Sequence, residues 1–145
     1  MIIDQKLLDT LTAQAKASPR LRQNYDLRNT PEDNSQRMLN ALEPGTVMPI
    51  HRHRKSSESI AIIRGKMIMR FYDDNGNVTD EFLMAPISLH SLPSIPEGEC
   101  NEPTIPVVQV EKGRWHSLEC LVSNTVLFES KDGAYEPLPE EDIMK

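Results

Sequence analysis

Basic residues are in short supply. Lys and Arg number 16 against 22 Asp and Glu, a net charge of −6. Unspecific nucleic-acid affinity comes largely from neutralising phosphates, so the balance argues against a nucleic-acid partner. Cysteine is equally scarce: Cys100 and Cys120 stand twenty positions apart, without CxxC spacing or the density of a disulfide-stapled domain. They read as free thiols, although spacing does not fix their separation and a disulfide between them stays open. No stretch approaches the ~20 consecutive apolar residues of a membrane-spanning helix, and no basic segment precedes an apolar one near Met1. The expected compartment is therefore the cytoplasm, with no membrane partner. Also missing are a glycine-rich phosphate cradle, a recognisable Ser/His/Asp or Cys/His arrangement, and any internal repeat. At 145 residues the chain is long enough for one hydrophobic core and too short for two.

What is present divides into three parts. In residues 1–35 a helix is expected over 4–17, because Asp4 can cap it and Leu7, Leu8, Leu11 and Ala15 recur at spacings of three and four. Pro19 ends it, and residues 20–35 read as a polar connecting arm. From 36 to 131 short apolar runs alternate with turn residues, the grammar of an all-β sandwich or barrel. Strands are expected at 38–42, 48–53, 58–63, 67–72, 78–84, 107–110, 117–122 and 125–130, with a hairpin turn at Asp73-Asp74-Asn75-Gly76. Five prolines make 85–106 an irregular excursion. Residues 132–145 hold five acidic groups against one basic and read as an exposed tail.

Only four histidines occur, at 51, 53, 90 and 116. On a strand, side chains two apart share a face, so His51 and His53 point one way while Arg52 points the other. After four intervening residues Glu58 opens the next expected strand, with Ile60 and Ile62 on its side, and His116 follows a Glu-Lys-Gly-Arg-Trp stretch. Imidazoles plus one carboxylate form a mixed N/O donor set suited to a divalent transition metal such as Fe, Mn, Ni, Co or Zn. A lone His-x-His is a weak signal, because polar alternation occurs on any exposed strand.

The longer string is more specific. Gly45, five residues, His-x-His, four residues, Glu58, six residues and Gly65 together resemble the first conserved motif of the cupin superfamily. The wider chain is similar to the small bacterial WbuC family of cupin-fold metalloproteins, through Ser18-Pro-Arg-Leu-Arg22, Asn24-Tyr25, Gln36-Arg-Met-Leu-Asn40, Arg64-Gly65-Lys66 and Val126-Leu127-Phe128-Glu129, over roughly residues 3–135. The resemblance implies a double-stranded β-helix, or jelly-roll barrel, with a short N-terminal helical arm. It also implies a metal held by His51, His53, Glu58 and His116. Of the second cupin motif, Gly113 and His116 are kept, while Glu111 replaces a proline and Cys120 stands where asparagine often follows. WbuC-like proteins are associated with bacterial surface-polysaccharide gene clusters, which implies a small, anionic or sugar-derived ligand without naming a reaction. Cupin folds serve as isomerases, oxygenases and non-catalytic sensors alike, so a small-ligand-binding module remains the alternative to an enzyme.

Other residues carry two readings. His90 lies outside both motifs and reads as a loop histidine. Cys120 shares the face of His116 and reads as a small buried hydrophobe rather than a sulfur ligand. Arg52, Arg54, Lys55 and Arg64 crowd the motif: they form either a positive rim for an anion or, as alternation favours for Arg52 and Arg54, a solvated outer face. Trp115 and Tyr72 read equally as the mouth of the pocket or as core and subunit-contact residues. Ala61 and Ile63 oppose the face of Glu58, and need a cover from the sheet flank, the helix or a second subunit; a homodimer is expected.

Overall fold

The computed structural model describes residues 1–87 and 104–145, and the excursion's central part, with His90 and Cys100, lies outside the described residues. Helix α1 (Gln5–Ala17) is capped by Asp4, whose carboxylate accepts a hydrogen bond from the Leu7 N–H at 2.9 Å. Strands β1 (Arg22–Asp26), β2 (Ser35–Leu42), β3 (Glu58–Arg64), β4 (Met67–Tyr72), β5 (Val78–Met84), β6 (Val107–Val110), β7 (Trp115–Cys120) and β8 (Thr125–Asp132) follow, and a 3-10 turn spans Glu140–Asp142. They form an antiparallel five-stranded sheet in the order β1-β2-β8-β3-β6 and a three-stranded sheet in the order β5-β4-β7. This is the all-β sandwich that the strand grammar indicates, in the jelly-roll form that the cupin resemblance implies.

The main core lies between the sheets, where Ile60, Ile62, Met67, Met69, Val110 and Leu127 are buried together. A second cluster lies on the other face of the five-stranded sheet, where Leu8, Leu11 and Ala15 of α1 pack on Leu39, Ala41 and Val126. At its C-terminal end β2 is therefore apolar on both faces, Leu39 and Ala41 toward α1 and Leu42 toward the inter-sheet core, which explains why its sequence lacks clean alternation there. Arg64 ties the helix down through Asp9 Oδ1 and Thr12 Oγ1, each at 2.7 Å, so it belongs to this junction and to no rim around the histidines.

Gly65 makes the turn from β3 to β4 possible. Its φ is +86°, and a Cβ there would lie 2.6 Å from the Thr125 Cα, so both conformation and close approach require glycine. The Asn75-Gly76 turn joins β4 to β5 as its dipeptide predicts, with Gly76 at φ +81°.

Three expectations need correction. The connecting arm contains β1, whose polar Arg-Gln-Asn-Tyr-Asp sequence pairs with β2 in register Asn24↔Asn40. As an edge strand only partly buried, it carries no apolar alternation to announce it. The strand expected at 48–53 is reduced to single bridges from His51 to His116 and Ile143, since Pro49 supplies no ladder donor. The tail is not wholly exposed: Asp142 is buried, 4% accessible, against the segment that carries His51 and His53.

Candidate metal centre

Three stretches of chain meet to build the site, the 51–53 segment, β3 and β7. His51 exchanges backbone hydrogen bonds with His116 of β7, N–H to O=C at 3.0 and 2.9 Å, which brings the two rings to 4.3 Å between centroids. His53 lies two residues on, its ring 5.1 Å from that of His51, and Glu58 enters from the first position of β3. Glu58 Oε2 stands 3.4 Å from His53 Nε2 and 3.2 Å from His116 Nε2. One donor atom from each of His51, His53, Glu58 and His116 lies within 4.8 Å of all the others, so this group could hold a metal ion. The four residues that the cupin resemblance singles out thus come together in the fold.

The hydrogen bonding of the rings is directional. The Nδ1 atoms of His51 and His116 sit 3.0 Å from the carbonyls of Pro49 and Arg114. A carbonyl accepts only, so Nδ1 carries the proton and each Nε2 presents a lone pair to the centre, the usual outer support of a ligating histidine. His53 Nε2 and Glu58 Oε2 are buried without a hydrogen-bond partner. Orphaned buried polar atoms are costly, and two that face each other across a set of imidazoles match the needs of a cation. The mixed nitrogen and carboxylate set fits a divalent transition ion.

Electrostatics point the same way. Burial, then the neighbouring His116, lowers His51 to a pKa of about 4, and burial, then Lys131, lowers His53 to about 4. Both rings are neutral and ready to ligate near pH 7. Burial alone would raise Glu58, yet contacts with His116, Glu129 and Lys131 outweigh it and hold the carboxyl well below its ordinary value. Burial and the adjacent Glu58 charge push Glu129 up to about 8. Asn40 Nδ2 donates to Glu129 Oε2 at 2.9 Å, while Lys131 Nζ lies 3.3 Å from Glu129 Oε1 and 3.8 Å from Glu58 Oε1. Glu129 and Lys131 therefore stand behind Glu58 and support it.

The sequence reading missed this support. Alternation from the buried Leu127 places Glu129 and Lys131 on the inner face of β8. The signal that could have found them is that alternation, continued past Leu127 to the end of the strand. It also missed Asp142, which accepts from Arg52 Nε at 2.9 Å and from Arg54 Nε at 2.5 Å. Burial raises the Asp142 carboxyl, but these two guanidinium groups draw it below its ordinary value. Arg52 and Arg54 do face away from the imidazoles, as alternation predicts, yet they meet a buried carboxylate rather than only solvent. Trp115 and Tyr72 occupy the face of their sheet opposite His116 and are both buried, so they do not line the barrel mouth. Trp115 stacks under Arg52 at 4.3 Å and donates to Asp74 Oδ1 at 3.0 Å, and Tyr72 Oη pairs with Ser117 Oγ at 2.7 Å. Cys120 is a buried thiol in the inter-sheet core, raised by burial, and lies outside the donor group.

A cavity of about 270 Å³ is lined by Phe71, Asp80, Phe82, Gln109, Glu111 and Arg114. Phe71 is the cross-strand partner of His116, and its ring makes an edge contact with Phe82 at 5.8 Å between centroids. Arg114 Nη2 is held by Asp80 at 2.8 Å and its guanidinium lies 5.1 Å from the Phe71 ring.

Comparison with solved structures shows the fold. The chain is similar to KdgF from a Halomonas species, with a TM-score of 0.57 and 10% identity over 81% of this chain and 84% of that one. It is similar to the capsular polysaccharide assembling protein CapF from Staphylococcus aureus, with a TM-score of 0.58 and 21% identity over 88% of this chain. Only 32% of CapF is covered, so this chain spans about a third of that protein. The cupin domain of Cnp3 from Schizosaccharomyces pombe matches with a TM-score of 0.53 and 14% identity over 77% of this chain and 64% of that one. No curated protein matches the chain by sequence. Residues 3–84 match the model of a domain of unknown function, DUF6016. That match covers more than half of the chain's length, and the chain belongs to the DUF6016 family.

Proposed function

We propose that this protein is a metal-binding cupin in which His51, His53, Glu58 and His116 hold one divalent transition ion, Fe, Mn, Ni, Co or Zn, beside a pocket for a small anionic or sugar-derived molecule. The observation that carries the reading is the pair of orphaned buried atoms, His53 Nε2 and Glu58 Oε2, facing the lone pairs of His51 and His116. A bound divalent ion polarises a coordinated oxygen, and four protein ligands leave up to two positions of an octahedral ion for one. The chain's own residues supply the rest. Glu129, Asn40 and Lys131 hold Glu58, the Pro49 and Arg114 carbonyls orient two imidazoles, and the Phe71–Phe82 pair offers an apolar wall. Arg114, shared with Asp80, provides a cation for an acidic group on the ligand.

Two further points support a role in surface-polysaccharide metabolism. The motifs resemble the WbuC family, and CapF, a structural neighbour, is by name a capsular polysaccharide assembling protein. The reading extends to a cytoplasmic homodimer. Helix α1 packs on β1, β2 and β8, which leaves Ile63 and Val107 on the β3–β6 flank 41% and 55% exposed. A second copy is the proposed cover.

Metal analysis of the purified protein is the test. About one equivalent in wild type and far less in His51→Ala supports the site, whereas equal substoichiometric content in both overturns it. Thermal-shift screening with nucleotide sugars and organic acids, followed by product analysis, then decides the chemistry. A stabilising compound recovered unchanged after prolonged incubation assigns binding, the alternative role, rather than turnover.

A further inference from the structure

In the segment His51-Arg52-His53-Arg54 the odd residues turn inward as metal-ligand candidates and the even ones turn outward. Both outward guanidinium groups end on a single carboxylate oxygen, Asp142 Oδ1, at 2.9 Å from Arg52 Nε and 2.5 Å from Arg54 Nε. That carboxylate arrives from the 3-10 turn about ninety residues later and is 5% exposed. The backbone is tied in the same place. Arg52 N–H donates to the Asp142 carbonyl at 3.1 Å, Met144 N–H donates to the Ile50 carbonyl at 2.9 Å, and Ile143 bridges His51 from the side opposite His116. Arg52 is also stacked on Trp115, the neighbour of His116.

This segment needs such a tie. It has no sheet ladder beyond single bridges at His51, and past them the His53 carbonyl accepts one further backbone hydrogen bond, from the Gly113 N–H at 2.8 Å, which holds the chain there without a strand's full register. Ligand atoms must be held within about 0.5 Å of a productive arrangement, and groups that orient ligands typically contribute 10- to 100-fold in metal affinity. We propose that the C-terminal strap, residues 139–144, is a positioning device for the metal centre: Asp142 clamps Arg52 and Arg54 together and thereby sets the imidazoles of His51 and His53. The inference rests on the metal-binding reading above. It differs from a plain stability brace, which would lower the unfolding temperature and leave the folded protein's metal affinity unchanged.

The test uses the full chain and Co(II), with affinity read by chelator competition, release rate by chelator challenge, and ligand geometry by the visible ligand-field spectrum. Two variants break the clamp from opposite ends, Asp142→Asn and Arg54→Gln; the Arg54 side chain is half exposed, so its loss is gentle on folding. Both are expected to bind Co(II) about 10- to 100-fold more weakly, to release it correspondingly faster, and to show an altered spectrum. Arg54→Lys, which keeps a cation for Asp142, is expected to recover most of the affinity. Wild-type affinity and spectrum in both clamp-breaking variants, whatever their unfolding temperatures, would overturn the positioning role. If Asp142→Asn does not fold, Arg54→Gln decides by the same criteria. Wild-type protein that binds neither Co(II) nor Zn(II) defeats the metal reading itself, an outcome separate from failure of the clamp.

Discussion

His53→Ala is the substitution that separates ligation from packing most cleanly. The Nε2 of His53 is buried without a partner, so in the metal-free protein the ring brings an unsatisfied polar atom that costs about 1–3 kcal/mol. Truncation removes that cost together with some favourable contact of the ring, and the two offset each other. The metal-free variant should therefore match wild type within about 1 kcal/mol. The metal-loaded comparison differs. At a free metal concentration 100 times the wild-type dissociation constant, binding stabilises wild type by about 2.7 kcal/mol. A variant with affinity lowered ~100-fold gains only about 0.4 kcal/mol from the same metal. The difference of about 2.3 kcal/mol corresponds to roughly 5–9 °C for a domain of this size. Thermal unfolding of both proteins, after chelation and at fixed Co(II) or Zn(II), measures all four quantities. Equal losses of stability with and without metal would refute the reasoning and make His53 a packing residue.

Metal-free stability should peak near pH 6.5. His51 and His53 have folded pKa values of about 4, below their ordinary 6.5, so their contribution is complete above 6.5 and is lost as pH falls toward 4, up to about 3 kcal/mol each. Glu129 is raised from 4.5 to about 8, so its contribution is complete below 4.5 and is lost as pH climbs to 8. Urea unfolding from pH 4.5 to 8.5 reads both limbs, and stability that keeps rising from 6.5 to 8 contradicts this assignment. Gly65→Ala should lose about 3 kcal/mol or more, from positive φ and collision with Thr125, seen as a lower urea midpoint. Leu11→Ala should cost about 2–5 kcal/mol by opening a cavity under α1, yet leave Co(II) affinity within twofold, because that cluster lies across the five-stranded sheet from the metal group. A matching loss of affinity would show that the two faces are coupled.

Much of the barrel was legible because strands and turns depend on local spacing, while the donor group was reached through the cupin resemblance. Strands β4, β5 and β6 begin and end where the apolar pattern does, and the Asn-Gly turn fixes the hairpin between the first two. His51 and His53 share a face for the same reason, even though the segment bearing them forms no extended strand. What escaped the sequence is whatever depends on a distant partner. Strand β1 is polar and earns its conformation only by pairing with β2. Glu129 and Lys131 look like a solvated strand end until Glu58 and Asn40 arrive beside them.

Asp142 is the sharpest instance. In an acidic tail a single aspartate reads as one more solvated charge, and a pair of arginines flanking histidines reads as an outer face. Each reading follows from alternation and composition, and neither contains the other residue. Burying the carboxylate is sustainable only because two guanidinium groups meet it, and the arginines are held only because that carboxylate is there. The motif can therefore name four ligand candidates while remaining silent on what holds them still. In this chain much of that supporting part, Glu129, Lys131 and Asp142, lies outside residues 3–84, the stretch the family match covers, and is supplied by β8 and the C-terminal strap. Metal affinity should then follow the Asp142 contact as well as the histidines, a dependence that the clamp variants measure directly.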